Sequence, residues 1–144
     1  MSKTVKQISI LLDNKPGMLA RVSDHLGKEG INIGGLSLGE TSEKCIVRMI
    51  ADNPEKAEQI LIAEGYNIWT RDVIAIECPD HPGALNPVLK PLAQAGINVM
   101  YIYTSLRRYQ DNAILILRVD NTEKAIEVLA ENYVYVIGEK LYSL

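Results

Sequence analysis

Phenylalanine is absent from this 144-residue chain, tryptophan occurs once and cysteine only twice. Two cysteines, Cys45 and Cys78, are too few and too far apart for a disulfide framework or a zinc-type ligand set. Both read as small buried strand residues, the usual fate of a free thiol. Basic excess is missing as well: 15 Lys and Arg stand against 18 Asp and Glu, a net charge of −3 with the signs interspersed. A nucleic-acid footprint wants a basic face. Arg107-Arg108 among Tyr101, Tyr103 and Tyr109 is too little for a stacking platform and reads as a hairpin with solvated arginines. No apolar run approaches the ~20 residues of a membrane span. The first residues, Met1 to Lys6, carry no apolar signal region, so a soluble cytoplasmic protein is expected. G-x-S-x-G, a P-loop, a Cys/His pair and a close carboxylate dyad are all lacking. His25 and His81 have no Cys or acid at ligand spacing, so neither metal nor cofactor is expected.

What the chain does have is a duplication. Asp13-Asn14-Lys15-Pro16-Gly17-Met18-Leu19 returns as Pro79-Asp80-His81-Pro82-Gly83-Ala84-Leu85. Gly30-Ile31-Asn32-Ile33 returns as Gly96-Ile97-Asn98-Val99 at the same offset of 66. Asp52-Asn53-Pro54-Glu55-Lys56-Ala57 returns as Asp120-Asn121-Thr122-Glu123-Lys124-Ala125 at 68, which places a two-residue insertion between the second and third markers. Fixed-offset self-similarity sets domain count and symmetry before any other reading. Domains of 1–70 and 71–144 follow, each small enough that one core alone is only marginally stabilising. The joint, Thr70-Arg71-Asp72, is too short for a flexible linker, so the halves are expected side by side.

Each half reads strand, helix, strand, strand, helix, strand. In the first, Val5–Leu12 is β-rich, Pro16 suits a first helical turn, and Leu19, Val22 and Leu26 form a helical stripe. Strands follow at Ile31–Leu38 and Cys45–Ala51, then a helix capped by Asp52 or Asn53, then a strand at Tyr66–Trp69. The second half offers a strand at Val73–Cys78, a helix from Gly83 to Ala95, strands at Ile97–Ser105 and Ala113–Val119, a helix at Thr122–Glu131 and a strand at Tyr133–Ile137. Pro91 in that first helix predicts a kink or a late start. This order is the ferredoxin-like βαββαβ plan, an α+β fold with antiparallel sheets. Its second sheet face should be wet, yet Ala113–Leu117 and Val99–Tyr103 are apolar on both faces. A lid is therefore expected, the sibling domain or a partner subunit, and most simply a homodimer.

The loops before each leading helix hold the candidate chemistry. Free N–H groups at a helix start, with the helix dipole, attract a carboxylate, and Gly17 and Gly83 let a ligand approach the backbone. Asn14 or Asp80 offers an acceptor to an ammonium. Asn32 and Asn98, opening the second strand next to that loop, supply both acceptor and donors. Taken singly these are ordinary turn residues; their co-occurrence in both halves is what favours a zwitterion site.

Asp-Asn-Lys-Pro-Gly-Met-Leu followed by Gly-Ile-Asn-Ile resembles the ACT domain, a small regulatory module of amino-acid metabolism, and the doubled pattern extends the resemblance over nearly the whole chain. It implies an amino acid held at a seam between units, touching the strand–helix loop of one and the second strand of its neighbour. Carried onto this sequence, the loop positions are Leu12, Asn14, Pro16 and Gly17 in the first unit and Cys78, Asp80, Pro82 and Gly83 in the second. The strand positions are Asn32 and Asn98, and His81 sits at the pocket edge. Crossed pairing would set Asn14 and Gly17 near Asn98, and Asp80 and Gly83 near Asn32. The copies differ: Asn14 stands against Asp80, and Gly34-Gly35 against Met100-Tyr101, so two unequal sites are expected. The resemblance further implies a non-catalytic protein whose output passes to a separate enzyme of amino-acid metabolism or to assembly state. Two other classes remain: a small enzyme on the same plan, using Arg21, Arg48 or Arg118, and an oligomerisation module without ligand.

Overall fold

A computed structural model describes residues 2–144; Met1, the first residue of the expected 1–70 domain, lies outside them. The chain divides into two compact units, Lys6–Arg71 and Asp72–Leu144, the latter joined by the leading residues up to Val5.

The amino-terminal unit runs β1 (Val5–Asp13), α1 (Met18–Lys28), β2 (Ile33–Glu40), β3 (Lys44–Ala51), α2 (Pro54–Ala63) and the first part of β4 (Asn67–Cys78). β3 is the central strand, antiparallel to β1 with Ile10 opposite Val47, and to β2 with Leu38 opposite Val47. Ile8, Ile10, Val47 and Met49 line the helix side of this sheet and bury Val22 and Leu26 of α1 and Leu61 of α2. Pro16 does not enter the helix. Gly17 takes φ 87° ahead of Met18, a left-handed turn that an L side chain resists, so Pro16 stays in the loop. Of the two expected caps for α2, Asn53 does the work, its side chain accepting from Lys56 N at 3.2 Å.

The carboxy-terminal unit repeats the plan with the rest of β4, α3 (Asn86–Gln94), β5 (Val99–Tyr109), β6 (Asn112–Val119) and α4 (Thr122–Glu131), which Asn121 caps. β6 is central, antiparallel to β4 with Ile76 opposite Leu115, and to β5 with Thr104 opposite Leu115. Ile74, Ile76, Leu117, Val88, Leu92 and Leu129 form its core. Residues 83–85 make a turn, with Ala84 N donating to His81 O and Asn86 N to Gly83 O, so α3 begins at Asn86 rather than Gly83 and carries Pro91 inside. The strand expected at Tyr133–Ile137 shrinks to one bridge, Ile76 opposite Val136. It is cut short because Gly138, at φ 65°, turns the chain into a 3-10 helix, Gly138–Ser143; a Cβ there would meet the Ser2 carbonyl at 2.7 Å.

The apolar runs of β4 and β6 are buried on both faces: Ile114 and Ile116 are as inaccessible as the core-facing Leu117. β5 departs from that expectation. It alternates, leaving Met100, Ile102 and Leu106 exposed, as β2 leaves Leu36 and Leu38.

Tyr66, packed against the amino-terminal core, carries a buried hydroxyl without a hydrogen-bond partner among the described residues. Burial also raises its pKa, with the Arg21 charge opposing. An unsatisfied buried hydroxyl costs about 1–3 kcal/mol. Tyr66→Phe should therefore keep or raise the urea midpoint, and a clear drop would show that the hydroxyl is bonded.

Candidate functional site

Within each unit the loop residues gather at one end of the sheet. Leu12 is buried at the end of β1, while Asn14, Pro16 and Gly17 are exposed beyond it. Two contacts tie this loop to the start of β3: Asn14 N donates to Glu43 O at 3.0 Å, and the Lys44 ammonium binds the Asp13 carboxylate. No side chain caps α1, so the first N–H groups of the helix face outward with the positive end of its dipole.

The carboxy-terminal loop lines a cleft of about 360 Å³, near the lower end of ligand-cleft sizes (roughly 300–1,000 Å³). Cys78, Asp80 and Gly83 line it; Pro82 does not. Gly83 takes φ 81° with open space where a Cβ would stand. The N–H groups of Gly83 and Leu85, both in the lining, find no acceptor among the described residues, whereas that of Ala84 is spent on His81 O. The Asp80 carboxylate forms no ion pair among the described residues. Unspent N–H groups and a carboxylate thus line one cleft, the complement of a zwitterion. Cys78 serves as wall. Its thiol donates weakly to Pro79 O at 3.5 Å and Ala84 O at 3.7 Å, and burial, then Asp80, pushes its pKa up, which keeps it protonated and unreactive.

The two asparagines lie elsewhere. Asp13 is level with Lys44, and Ile33 with Ala51, seven residues farther along β3, so loop and Asn32 are separated by about 24 Å of strand. In the other unit Cys78 is level with Ala113 and Val99 with Val119. Asn32 and Asn98 are therefore not next to the loop of their own unit, contrary to the reading from sequence. β1 and β2 run the same way with β3 between them, so the end of one lies beside the end, not the beginning, of the other. The second-strand residue at the cleft is Thr104. Sequence reasoning missed it, although it is the one polar side chain among the exposed even-numbered positions from Met100 to Leu106.

Each asparagine is nevertheless held in the same way. Asn32 N donates to Asp52 Oδ1, and Asp52 N donates to Asn32 O, both at 3.0 Å. Asn98 repeats this with Asp120 at 3.0 and 3.1 Å. The backbones are fixed, and neither side-chain amide has a hydrogen bond among the described residues, so both are available.

Residues 3–144 match the family described as an ACT domain pair. This chain belongs to that family. A protein from Bacteroides thetaiotaomicron superposes with a TM-score of 0.91 at 36% identity, over 99% of this chain and 100% of that one. The ligand-free regulatory subunit of aspartate kinase from Thermus thermophilus gives 0.64 at 20% identity, covering 89% and 92%, a likeness of fold. Among curated relatives, the acetolactate synthase small subunit of Aquifex aeolicus is 28% identical over 126 residues, 88% of this chain and 61% of that protein. That of Mycolicibacterium smegmatis is 45% identical over 42 residues, 29% and 25%. The ACT domain pair thus spans about three-fifths or less of these relatives. Among its described residues no helix is long and apolar enough to cross a membrane, and no three His, Cys, Asp or Glu side chains cluster as metal ligands would.

The Lys44 contact makes a pH prediction. The hydrogen bond from Lys44, then its charge, holds the Asp13 carboxyl below its ordinary pKa. A lowered folded-state value means that the contact stabilises above the unfolded pKa of ~3.9 and is lost as pH falls through the folded value. Carbon-detected NMR titration should place the Asp13 midpoint below 3.8 and, in Lys44→Met, move it up toward that value; an unmoved midpoint would remove Lys44 as the cause.

Proposed function

We propose that this ACT domain pair is a non-catalytic cytoplasmic regulator that binds a free amino acid and passes its occupancy to a separate enzyme of amino-acid metabolism. The observation that carries the reading is the cleft beside β4, where the Gly83 and Leu85 N–H groups and the Asp80 carboxylate suit the two ends of a zwitterion. Since loop and asparagine occupy opposite ends of one sheet, Asn98 or Asn32 would reach a ligand only on the loop of a unit other than its own. The loop residues Leu12, Asn14, Pro16 and Gly17 make the second candidate site. It lacks a carboxylate at the Asp80 position and so favours a different ligand or a weaker grip.

The small-subunit relatives support a catalytic partner supplied by another chain. The ligand can bias that partner only by its differential affinity for two arrangements of the units. Exposed Leu36 and Leu38, with Met100, Ile102 and Leu106, support a homodimer, since a soluble protein rarely leaves such stripes uncovered.

Calorimetry against the twenty standard amino acids should find one that binds stoichiometrically. Asp80→Asn should weaken it by about tenfold, the loss of one charge-assisted hydrogen bond, and Asn98→Ala should weaken it as well. Absence of any binding to the folded protein would refute the reading, and unchanged affinity in both variants would remove the site.

A further inference from the structure

The cleft beside β4 lies where the second repeat has given up side-chain volume that the first retains. Superimposing the repeats sets Leu12 on Cys78, Met18 on Ala84 and Leu38 on Thr104 at the offset of 66, and Cys45 on Ala113 at 68. The strand registers agree. Leu12 lies opposite Cys45 as Cys78 lies opposite Ala113, and Leu38 opposite Val47 as Thr104 opposite Leu115. In the first unit Leu12 and Cys45 belong to the core and Met18 packs against it. Their counterparts Cys78, Ala113 and Ala84 are smaller, and each lines the cleft. Leu115 in place of Val47 gives back one methylene.

The change from Leu38 to Thr104 is one of polarity. Thr104 stands in the alternating row of β5 that also presents Ile102 and Leu106, and it is the one hydroxyl of the lining. That hydroxyl has no hydrogen bond among the described residues, and Ile102, Leu106 and the facing Leu115 offer it no side-chain partner. While the cleft is open, water satisfies it, since Thr104 is exposed. A ligand seated over it displaces that water and must either pair the hydroxyl or leave it unsatisfied. The second outcome discriminates more sharply than the fit of a methyl group. Thr104 lies two strands from Cys78 and level with Ile76, about 12 Å away, with Ala113 and Leu115 of β6 between. Charge narrows the class further. Among its described residues the lining holds no lysine or arginine to meet an acidic side chain, and its one carboxylate, Asp80, is engaged by the ligand's α-ammonium.

We infer that Thr104 sets the specificity of this cleft, and that its ligand is an amino acid with an uncharged aliphatic side chain bearing a hydroxyl or an amide. The inference rests on the amino-acid site proposed above and names its ligand class. Held at the loop, the ligand turns its side chain across Ala113 toward Thr104. A hydroxyl both donates and accepts, so Thr104 pairs with either group. The first unit, with Leu38 in this place and Leu12 and Met18 packed beside it, has no means of making that choice.

The test is calorimetry of the full chain with the twenty standard amino acids, on the wild type, Thr104→Val and Thr104→Ser. The tightest ligand should be serine, threonine, asparagine or glutamine. Its Kd should rise about tenfold in Thr104→Val, which keeps the side-chain shape and removes only the hydroxyl. Thr104→Ser, which keeps the hydroxyl, should preserve the wild-type preference. An apolar or charged amino acid as the tightest ligand would overturn the inference, as would an affinity that Thr104→Val leaves unmoved. Either result leaves the amino-acid site standing if Asp80→Asn still weakens binding. No binding by any of the twenty would overturn the site and the inference together.

Discussion

Two hydrogen bonds, made once in each repeat, set the frame on which the rest of this molecule depends. The Asn32 peptide exchanges bonds with Asp52, and the Asn98 peptide with Asp120. Each exchange ties the start of a second strand to the joint where the third strand becomes a helix. The next residue along, Asn53 or Asn121, caps that helix, and a lysine one turn in, Lys56 or Lys124, reaches back to the carbonyl of Glu29 or Ala95 at 2.9 Å. One short stretch of sequence thus closes both helix ends and a strand end together. Because the asparagines hold the frame with backbone atoms, their side chains stay uncommitted, and the same residue serves fold and candidate chemistry without conflict.

That frame has let the remainder of the two copies drift. Strand–helix loops in both units keep the left-handed glycine and the uncapped helix start, yet the Asp13 carboxylate of one is paired with Lys44 whereas the Asp80 carboxylate of the other forms no ion pair among the described residues. Farther round the same loop, replacing Met18 and Tyr66 with Ala84 and Val134 removes side-chain volume from one copy. The lost dispersion contacts weaken packing there and leave a cleft of about 260 Å³. In the other copy the volume is retained, with a Tyr66 hydroxyl held inside it that has no hydrogen-bond partner among the described residues. Duplication followed by local change in volume and polarity accounts for loops that differ although the order of strands and helices beneath them is the same.

Much of this could be read from residues alone, for identifiable reasons. Pattern and repeat revealed the element order because apolar spacing is a local property, and the paired Gly-Ile-Asn and Asp-Asn segments marked the joints. The doubly apolar β6 announced burial on both faces. Neighbourhood in space was harder. Asn32 follows the loop closely in sequence, but with β3 between two strands of like direction it opens at the far end of the sheet. Thr104 went unnoticed because nothing about a threonine in an alternating strand signals a cleft until the register is known. Pro16 looked like a helix residue until Gly17 took a left-handed turn. Tyr133 looked like the start of a strand, whereas its backbone ends a helix in a conformation usually left to glycine.

The central claim, that the loop at Gly83 grips the carboxylate of an amino acid whose ammonium meets Asp80, is tested most directly by a crystal structure of the protein grown with the amino acid that binds it. The account predicts a ligand carboxylate within hydrogen-bond distance of Gly83 N and Leu85 N, and its ammonium against the Asp80 carboxylate. A ligand seated elsewhere, or one reversed with its carboxylate toward Asp80, would contradict it.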